Sequence, residues 1–374
     1  AELRERRGLV YHAGAHVDAN VGVAIGGRAV LARDGSIAAE IAMPQFCTSW
    51  ARLYTMLSNV FPEEHVRRGV ALAGFEQDTD GVTARLSDGT SLRGDMLIGA
   101  DGVHSTVRRQ LLPDVELVYS GYVGWRGMIE ERTLSPATHA ALFHRFAWGL
   151  IPGEHILGYP VPGAGDDLTP GRRRYSFVWY RPVDAEPALR EMQTDAAGRL
   201  HRDGIPPQAI LPEFVATLRR DADALLCKAW AEVVRKADQP HFQPIGDLVS
   251  PRMAFDRVAL LGDAAHVARP HVARGAIKAG HDAMALTAAL TDALERKGAA
   301  RMHTRAQAPM AEAIALMVRE RLTGQAPPPG LDGTIISIGL LGNDCACADG
   351  NCASVNKVTR SNLIFMIPPK QPGI

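Results

Sequence analysis

The chain has 374 residues and a formal net charge of +0, long enough for two domains with separate cores. With 46% apolar and 22% charged residues it reads as globular rather than disordered, and the lack of a basic excess argues against a nucleic-acid partner. No apolar run reaches membrane-spanning length, no signal peptide opens the chain, and five cysteines, an odd number, argue against a secreted disulfide scaffold. A soluble, cytoplasmic protein without a membrane partner is expected.

In chain order, Gly22-Val-Ala-Ile-Gly-Gly27 reads as a glycine-rich loop, because its glycines have the wrong spacing for a phosphate-binding turn. Two apolar runs, Ala29 to Ala32 and Ile37 to Ile41, flank Asp34-Gly35 and predict a hairpin. Ser49 or Thr48 then caps a helix with Leu53, Met56 and Leu57 on one face. Strands are predicted at Val70 to Phe75 and Val82 to Leu86, before a tight turn at Ser87-Asp-Gly-Thr90. Met96 to Ile98 is a short buried strand, followed by Gly99 and Gly102, which permit a sharp turn where a side chain would crowd a ligand. Ser105 caps the short helix that ends before Pro113.

Residues 116–244 change character. Val118 to Met128, Ala147 to Ile151, Ile156 to Val161 and Tyr175 to Tyr180 are separated by Gly/Pro/Asp-rich turns and predict an antiparallel sheet. Arg172-Arg-Arg174 reads as a solvated turn, and helices are expected at Pro187 to Met192 and Leu211 to Leu226. The chain then runs through Val258 to Leu261, an apolar run that marks a strand buried on both faces, to Gly262-Asp263. A loop shaped by Pro270 and Gly275 leads into an Ala-rich helix from about Ala276 towards Leu290. This geometry places Asp263 at the carboxyl end of a central strand, with helix N–H groups pointing into the same crevice, where doubly wound sheets bind ligands. The helical signal continues from Ala311 to Leu322 and ends at Pro327-Pro-Pro329. Cys345, Cys347 and Cys352 are too few and too close for an ordinary zinc site, so no metal is expected.

Two of these stretches together resemble the motifs of the flavin-dependent aromatic hydroxylases. Gly262, Asp263, Ala264, Ala265, His266, Pro270, Gly275 and Asp282-Ala283 match one, with Ala273-Arg274-Gly275 standing where many members have Gly-x-Gly. Gly99, Ala100, Asp101, Gly102, Ser105, Val107 and Arg108 match the other. Tyr122-x-x-Trp-Arg-Gly127, Gly158-Tyr-Pro-Val-Pro-Gly163 and Trp179-Tyr-Arg181 look like the dihydroxypyridine hydroxylase branch, as does Pro-His before a helix carrying Lys278. The likeness runs from about Gly27 to Leu290. The strand–Gly-x-Gly-x-x-Gly–helix unit of such proteins is expected upstream of Ala1-Glu-Leu-Arg-Glu-Arg-Arg-Gly8 and is not in this sequence.

The resemblance implies an α/β fold: a Rossmann-like FAD-binding domain over 1–115 and 245–324, lacking its first βαβ unit. An inserted, mainly antiparallel substrate domain would span 116–244, with an irregular tail over 325–374. It implies FAD as cofactor, NADH or NADPH as co-substrate, and hydroxylation of an electron-rich aromatic or N-heteroaromatic ring by O2 through a flavin C4a-hydroperoxide. Asp263 would accept hydrogen bonds from the ribityl hydroxyls, Gly262 and Gly275 would bring backbone to the cofactor, and Pro270 would sit beside the flavin ring. Asp101, Gly102 and Arg108 would help hold cofactor or nucleotide. Arg52 would contact the flavin, against an ordinary solvated helix arginine. His271, with His266 second, is the candidate base for a phenolic proton, against a structural histidine in a polar loop. Trp125, Tyr159 and Trp179 either line a flat aromatic pocket or belong to the sheet core. Another flavin oxidoreductase on the same scaffold and a non-catalytic remnant stand as alternatives, and a homodimer is left open.

Overall fold

In the computed structural model, residues 21–61, 63–270, 275–299 and 363–366 are described. The strands in chain order are β1 (Val23–Leu31), β2 (Ile37–Cys47), β3 (Leu72–Gln77), β4 (Val82–Leu86), β5 (Ser91–Gly94), β6 (Met96–Gly99) and β7 (Val118–Glu130). They continue as β8 (Arg145–Ile151), β9 (Glu154–Val161), β10 (Arg174–Pro182), β11 (His241–Val249), β12 (Ala254–Phe255), β13 (Val258–Leu260), β14 (His266–Val267) and β15 (Leu363–Met366). The principal helices are α1 (Trp50–Ser58), α2 (Thr106–Leu111), α3 (Pro136–Leu142), α4 (Pro212–Leu225), α5 (Lys228–Lys236) and α6 (Gly275–Ala299). Among the described residues no helix is long and apolar enough to cross a membrane.

The fold is mixed α/β and divides into two compact units. Of the described residues, the first takes 21–61 and 119–245 and the second 63–118, 246–270, 275–299 and 363–366. Residues 21–61 therefore group with the expected substrate domain, whereas the sequence reading joined them to the segment that follows. The reason is strand pairing: β1 runs parallel to β8 from Gly27↔Arg145 to Leu31↔Gly149 and antiparallel to β2.

In the first unit, the strand order is β11-β7-β10-β9-β8-β1-β2. The predicted hairpin turns at Gly35, with φ 91°, and Asp34 Oδ1 accepts from the Ser36 N–H at 2.9 Å. Gly22 to Gly27 is not a loop but largely the start of β1, with a register shift between Ile25 and Gly27. Two of its three glycines serve close approach: a Cβ on Gly22 or Gly27 would lie 2.2 Å from the carbonyl oxygen of Cys47 or Ile41 respectively. The period-2 alternation of β10 sorts its residues. Tyr175, Phe177 and Trp179 enter the larger core with Leu218, Ala222, Trp230 and Val234 of α4 and α5, while Val178 and Tyr180 enter a smaller cluster. Trp179 and Trp230 are almost fully buried, and burial of each such aromatic contributes on the order of 1.5–3 kcal/mol.

In the second unit, β13 runs parallel to β6 from Val258↔Leu97 to Leu260↔Gly99, and every residue of both strands is buried. The full order of this sheet is β12-β13-β6-β15, with β15 parallel to β6 on its other side. The 325–374 segment, expected to be irregular, thus supplies a described strand. A separate antiparallel sheet has the order β3-β4-β5. Helices α2 and α6 bring Val107 and Leu286 into the same core as β6 and β13. A Cβ on Gly99 would meet Val107 Cβ at 2.8 Å and Leu260 Cδ2 at 2.9 Å. Gly99→Ala is expected to destabilise the protein by about 1–3 kcal/mol through overpacking, read as a lower urea midpoint at unchanged m-value. An unchanged midpoint would contradict the packing described.

Candidate functional site

The site is built where β6 and β13 end side by side. Leu261 N–H donates to Gly99 O at 2.9 Å, carrying the parallel pairing into the two loops that follow. After β13 the chain turns through Gly262 in the left-handed region, φ 57°, and a short 3-10 turn over Gly262–Ala264 presents Asp263. Asp263 is exposed on one side and crowded by protein on the other. Desolvation raises its carboxyl above the ordinary aspartate value, Asp282 adds to the rise, and Lys278 opposes it. Among the described residues its oxygens receive no described hydrogen bond, so a carboxylate able to accept from two hydroxyls is available at the strand end. That fits a polyhydroxyl cofactor chain.

After β6, Gly102 turns at φ 78° and Ser105 caps α2, accepting from Arg108 N–H at 2.9 Å. Asp101 is committed to the same helix start. Its Oδ2 accepts from Thr106 N–H at 2.7 Å and Val107 N–H at 3.2 Å, and its Oδ1 accepts from Ser105 Oγ at 2.5 Å. Arg108 is buried, and its guanidinium donates to Val103 O at 2.6 Å and to Ala264 O at 3.0 Å. Desolvation is the largest influence on Arg108 and lowers its pKa. In these positions Asp101 and Arg108 shape and brace the two loops, one by capping and the other by tying α2 to the Asp263 turn.

The structure therefore brings Asp101, Gly102, Arg108, Gly262 and Asp263 together within the second unit. Pro270 is half-buried and follows Arg269, whose guanidinium makes a two-pronged ion pair with Asp247 of β11, Nε donating to Oδ1 at 2.7 Å. Sequence reasoning missed this anchor for the loop, since nothing local links positions 22 residues apart. His266 is half-buried in β14, paired with Val249. Gly275 opens α6. His271 lies outside the described residues, as do Cys345, Cys347 and Cys352. Among the described residues no cluster of three or more His, Cys, Asp or Glu is placed to hold a metal.

Arg52 belongs to the first unit. Ser49 caps α1 by accepting from Arg52 N–H at 3.1 Å, as predicted, but no residue of the helix is buried and Leu57 is 43% exposed. The Arg52 guanidinium lies 3.4 Å from Asp166 O and 3.9 Å from its carboxylate.

The open aromatic question resolves by strand parity. Trp125 and Trp179 are register partners and both are buried in the helix-facing core. Tyr159 instead packs at the smaller cluster on Phe146, with ring centroids 4.9 Å apart and 23° between planes, and Phe146 meets Trp148 at 4.5 Å. Tyr122 and Tyr180 meet edge-on in that cluster at 5.9 Å. Phe146 and Trp148, two residues apart on β8, show the alternation that could have identified this second aromatic face. A surface cleft lined by Gly26, Gly27, Glu40, Ile41, Ala42, His144 and Arg145 contains none of the predicted site residues.

Residues 119–247 match the family described as FAD binding domain-like, and residues 273–336 match that of cobalamin biosynthesis protein CobT. The chain is 33% identical over 251 residues to 2,6-dihydroxypyridine 3-monooxygenase of Paenarthrobacter nicotinovorans, covering 67% of this chain and 62% of that protein. It is 31% identical over 252 residues to 3-amino-4-hydroxybenzoate 2-monooxygenase of Streptomyces cremeus, covering 66% and 54%. The chain thus spans less than two thirds of the length of these relatives. Among solved structures, 2,6-dihydroxypyridine-3-hydroxylase from Arthrobacter nicotinovorans aligns with a TM-score of 0.74 and 26% identity over 93% of this chain and 87% of that one. Klebsiella pneumoniae HpxO complexed with FAD and uric acid shares the fold, at a TM-score of 0.57 and 21% identity over 84% and 83%.

Proposed function

Since the chain belongs to the family of FAD-dependent monooxygenases, we propose that it binds FAD and hydroxylates an electron-rich aromatic or N-heteroaromatic ring of the dihydroxypyridine kind, using O2 and NADH or NADPH in the cytoplasm. The observation that supports this most is the pair of loops after β6 and β13, which share one brace and present an exposed carboxylate, that of Asp263, at the strand end. Bound there, FAD would supply electron transfer from the nicotinamide and activation of O2.

The chain's own residues then have distinct tasks. Asp263 accepts hydrogen bonds from cofactor hydroxyls. Gly262 and Gly275 allow backbone to approach, and Pro270, held by the Arg269–Asp247 pair, walls the ring. Asp101 and Arg108 act through the loops they fix. His271 or His266 takes up the proton of a substrate hydroxyl, a role suited to a side chain whose ordinary pKa lies near 6.5. The aromatic face of Phe146, Trp148 and Tyr159 offers a flat surface for a substrate ring.

The test is NADH- and NADPH-dependent O2 uptake with a panel of hydroxypyridines and phenols, with product mass followed under labelled O2. Nicotinamide oxidation matched by a product carrying one labelled oxygen atom is expected. Oxidation that yields only hydrogen peroxide with every substrate would instead place the protein among flavin oxidases.

A further inference from the structure

The turn that carries Asp263 is gripped from behind by a buried ion pair on α6. Lys278 Nζ donates to Gly262 O at 2.8 Å and to Asp282 Oδ2 at 3.0 Å, and that same Oδ2 accepts from Gly262 N–H at 3.1 Å. The N–H and the C=O of one residue are thus both held by two side chains one helical turn apart. Their side chains are 9% and 0% exposed. Ala279, between them in sequence, packs on the same turn: a Cβ on Gly262 would lie 3.3 Å from the Ala279 Cβ.

An exposed pair at this spacing is common on helices and contributes little. This one is buried, where removing two charges from water costs about as much as their attraction returns, so stability alone is a weak reason for it. Its partner group is more informative. Gly262 sits at φ 57°, a conformation that a free peptide leaves readily, and the direction of the next side chain depends on it. We propose that Lys278 and Asp282 are positioning residues, which lock the Gly262 peptide in its left-handed turn and thereby aim the Asp263 carboxylate at the cofactor. The second half of this inference rests on the reading of Asp263 as a flavin ligand.

Two readouts separate the halves. The Lys278→Met/Asp282→Leu variant removes both charges while keeping apolar volume, which buried pairs generally tolerate without unfolding. Amide hydrogen exchange of the segment 260–265 in the cofactor-free protein is expected to quicken by about tenfold or more, because its opening becomes local rather than tied to α6. The FAD dissociation constant, from flavin fluorescence, is expected to rise about tenfold or more. Asp263→Asn in the same background should then add much less than it does alone, as expected for residues that act through one another. Unchanged exchange overturns the clamp. Faster exchange with unchanged FAD affinity, in a protein whose affinity still depends on Asp263, overturns the positioning role. FAD affinity that is indifferent to Asp263→Asn overturns the flavin reading instead, and the clamp is then decided by the exchange data.

Discussion

Asp263→Ala is expected to abolish FAD retention while leaving a folded protein. Two hydrogen bonds to a carboxylate contribute roughly 1.5–3 kcal/mol each, so their loss weakens binding by at least about a hundredfold. The fold should not suffer. The carboxyl is exposed on one side and receives no described hydrogen bond among the described residues, and its raised pKa means that the folded surroundings disfavour the ionised form. The penalty builds up as pH rises from the ordinary aspartate pKa through the raised one and is absent below the ordinary value, so at neutral pH the alanine variant should be as stable as the parent or slightly more so. The same sign predicts that FAD affinity, which needs the ionised group, declines on acidification earlier than an ordinary aspartate would dictate. Equilibrium dialysis with FAD, alongside thermal unfolding, checks both. A variant that keeps stoichiometric flavin would remove Asp263 from the site.

The second large effect lies in the first unit, in the Glu131 cluster. Glu131, in the short 3-10 turn just after β7, has a side chain only 5% exposed. Burial alone would raise its pKa, but the hydrogen bonds from Arg173, His139 and Gly171 N–H outweigh burial and hold the carboxyl down at about 2. Arg173 is two-pronged, with Nε donating at 2.8 Å and Nη2 at 2.6 Å, and its guanidinium also lies 4.8 Å from the Phe143 ring centre. Arg173→Ala strands a buried carboxylate and should cost about 3–5 kcal/mol. Arg173→Lys recovers only part of this, since it lacks the planar fork. A carboxyl whose folded pKa is depressed contributes stability that is present above its ordinary pKa and lost as pH falls. The parent should therefore lose on the order of 3 kcal/mol between about pH 4.5 and pH 2 from this group, and Arg173→Ala should show a much smaller loss there. Urea titrations across that window give the measurement, and a loss below about 1 kcal/mol for Arg173→Ala would contradict the burial and pairing described.

The parts legible in the sequence were those with local causes. The turn at Asp34-Gly35, the caps Ser49 and Ser105, and the short apolar strands before Gly99 and Gly262 each follow from neighbouring residue types, and all are present. Where a cause is distant, the sequence misleads or is silent. Three glycines in six residues depress strand propensity, so Gly22 to Gly27 reads as a loop; only the approach of Cys47 and Ile41 explains why glycine belongs in that strand. Asp101 matches a ligand motif, yet its carboxylate caps α2, a use that appears only once Gly102 has turned the chain back. The spacing of Lys278 and Asp282 is visible on a helix, but not the Gly262 peptide they hold. Trp125, Trp179 and Tyr159 could not be sorted without register: Trp179 faces Trp125, whereas Tyr159 is paired with Ser176, three residues and hence one face away from Trp179.

The central claim is that the loops after β6 and β13 make a flavin site in this chain. Its most direct test is the visible absorption spectrum of the purified 374-residue chain after incubation with FAD and desalting. Retained flavin bands, close to one flavin per chain and lost in Asp263→Ala, are the expected result. A desalted protein that is folded and colourless would contradict the claim.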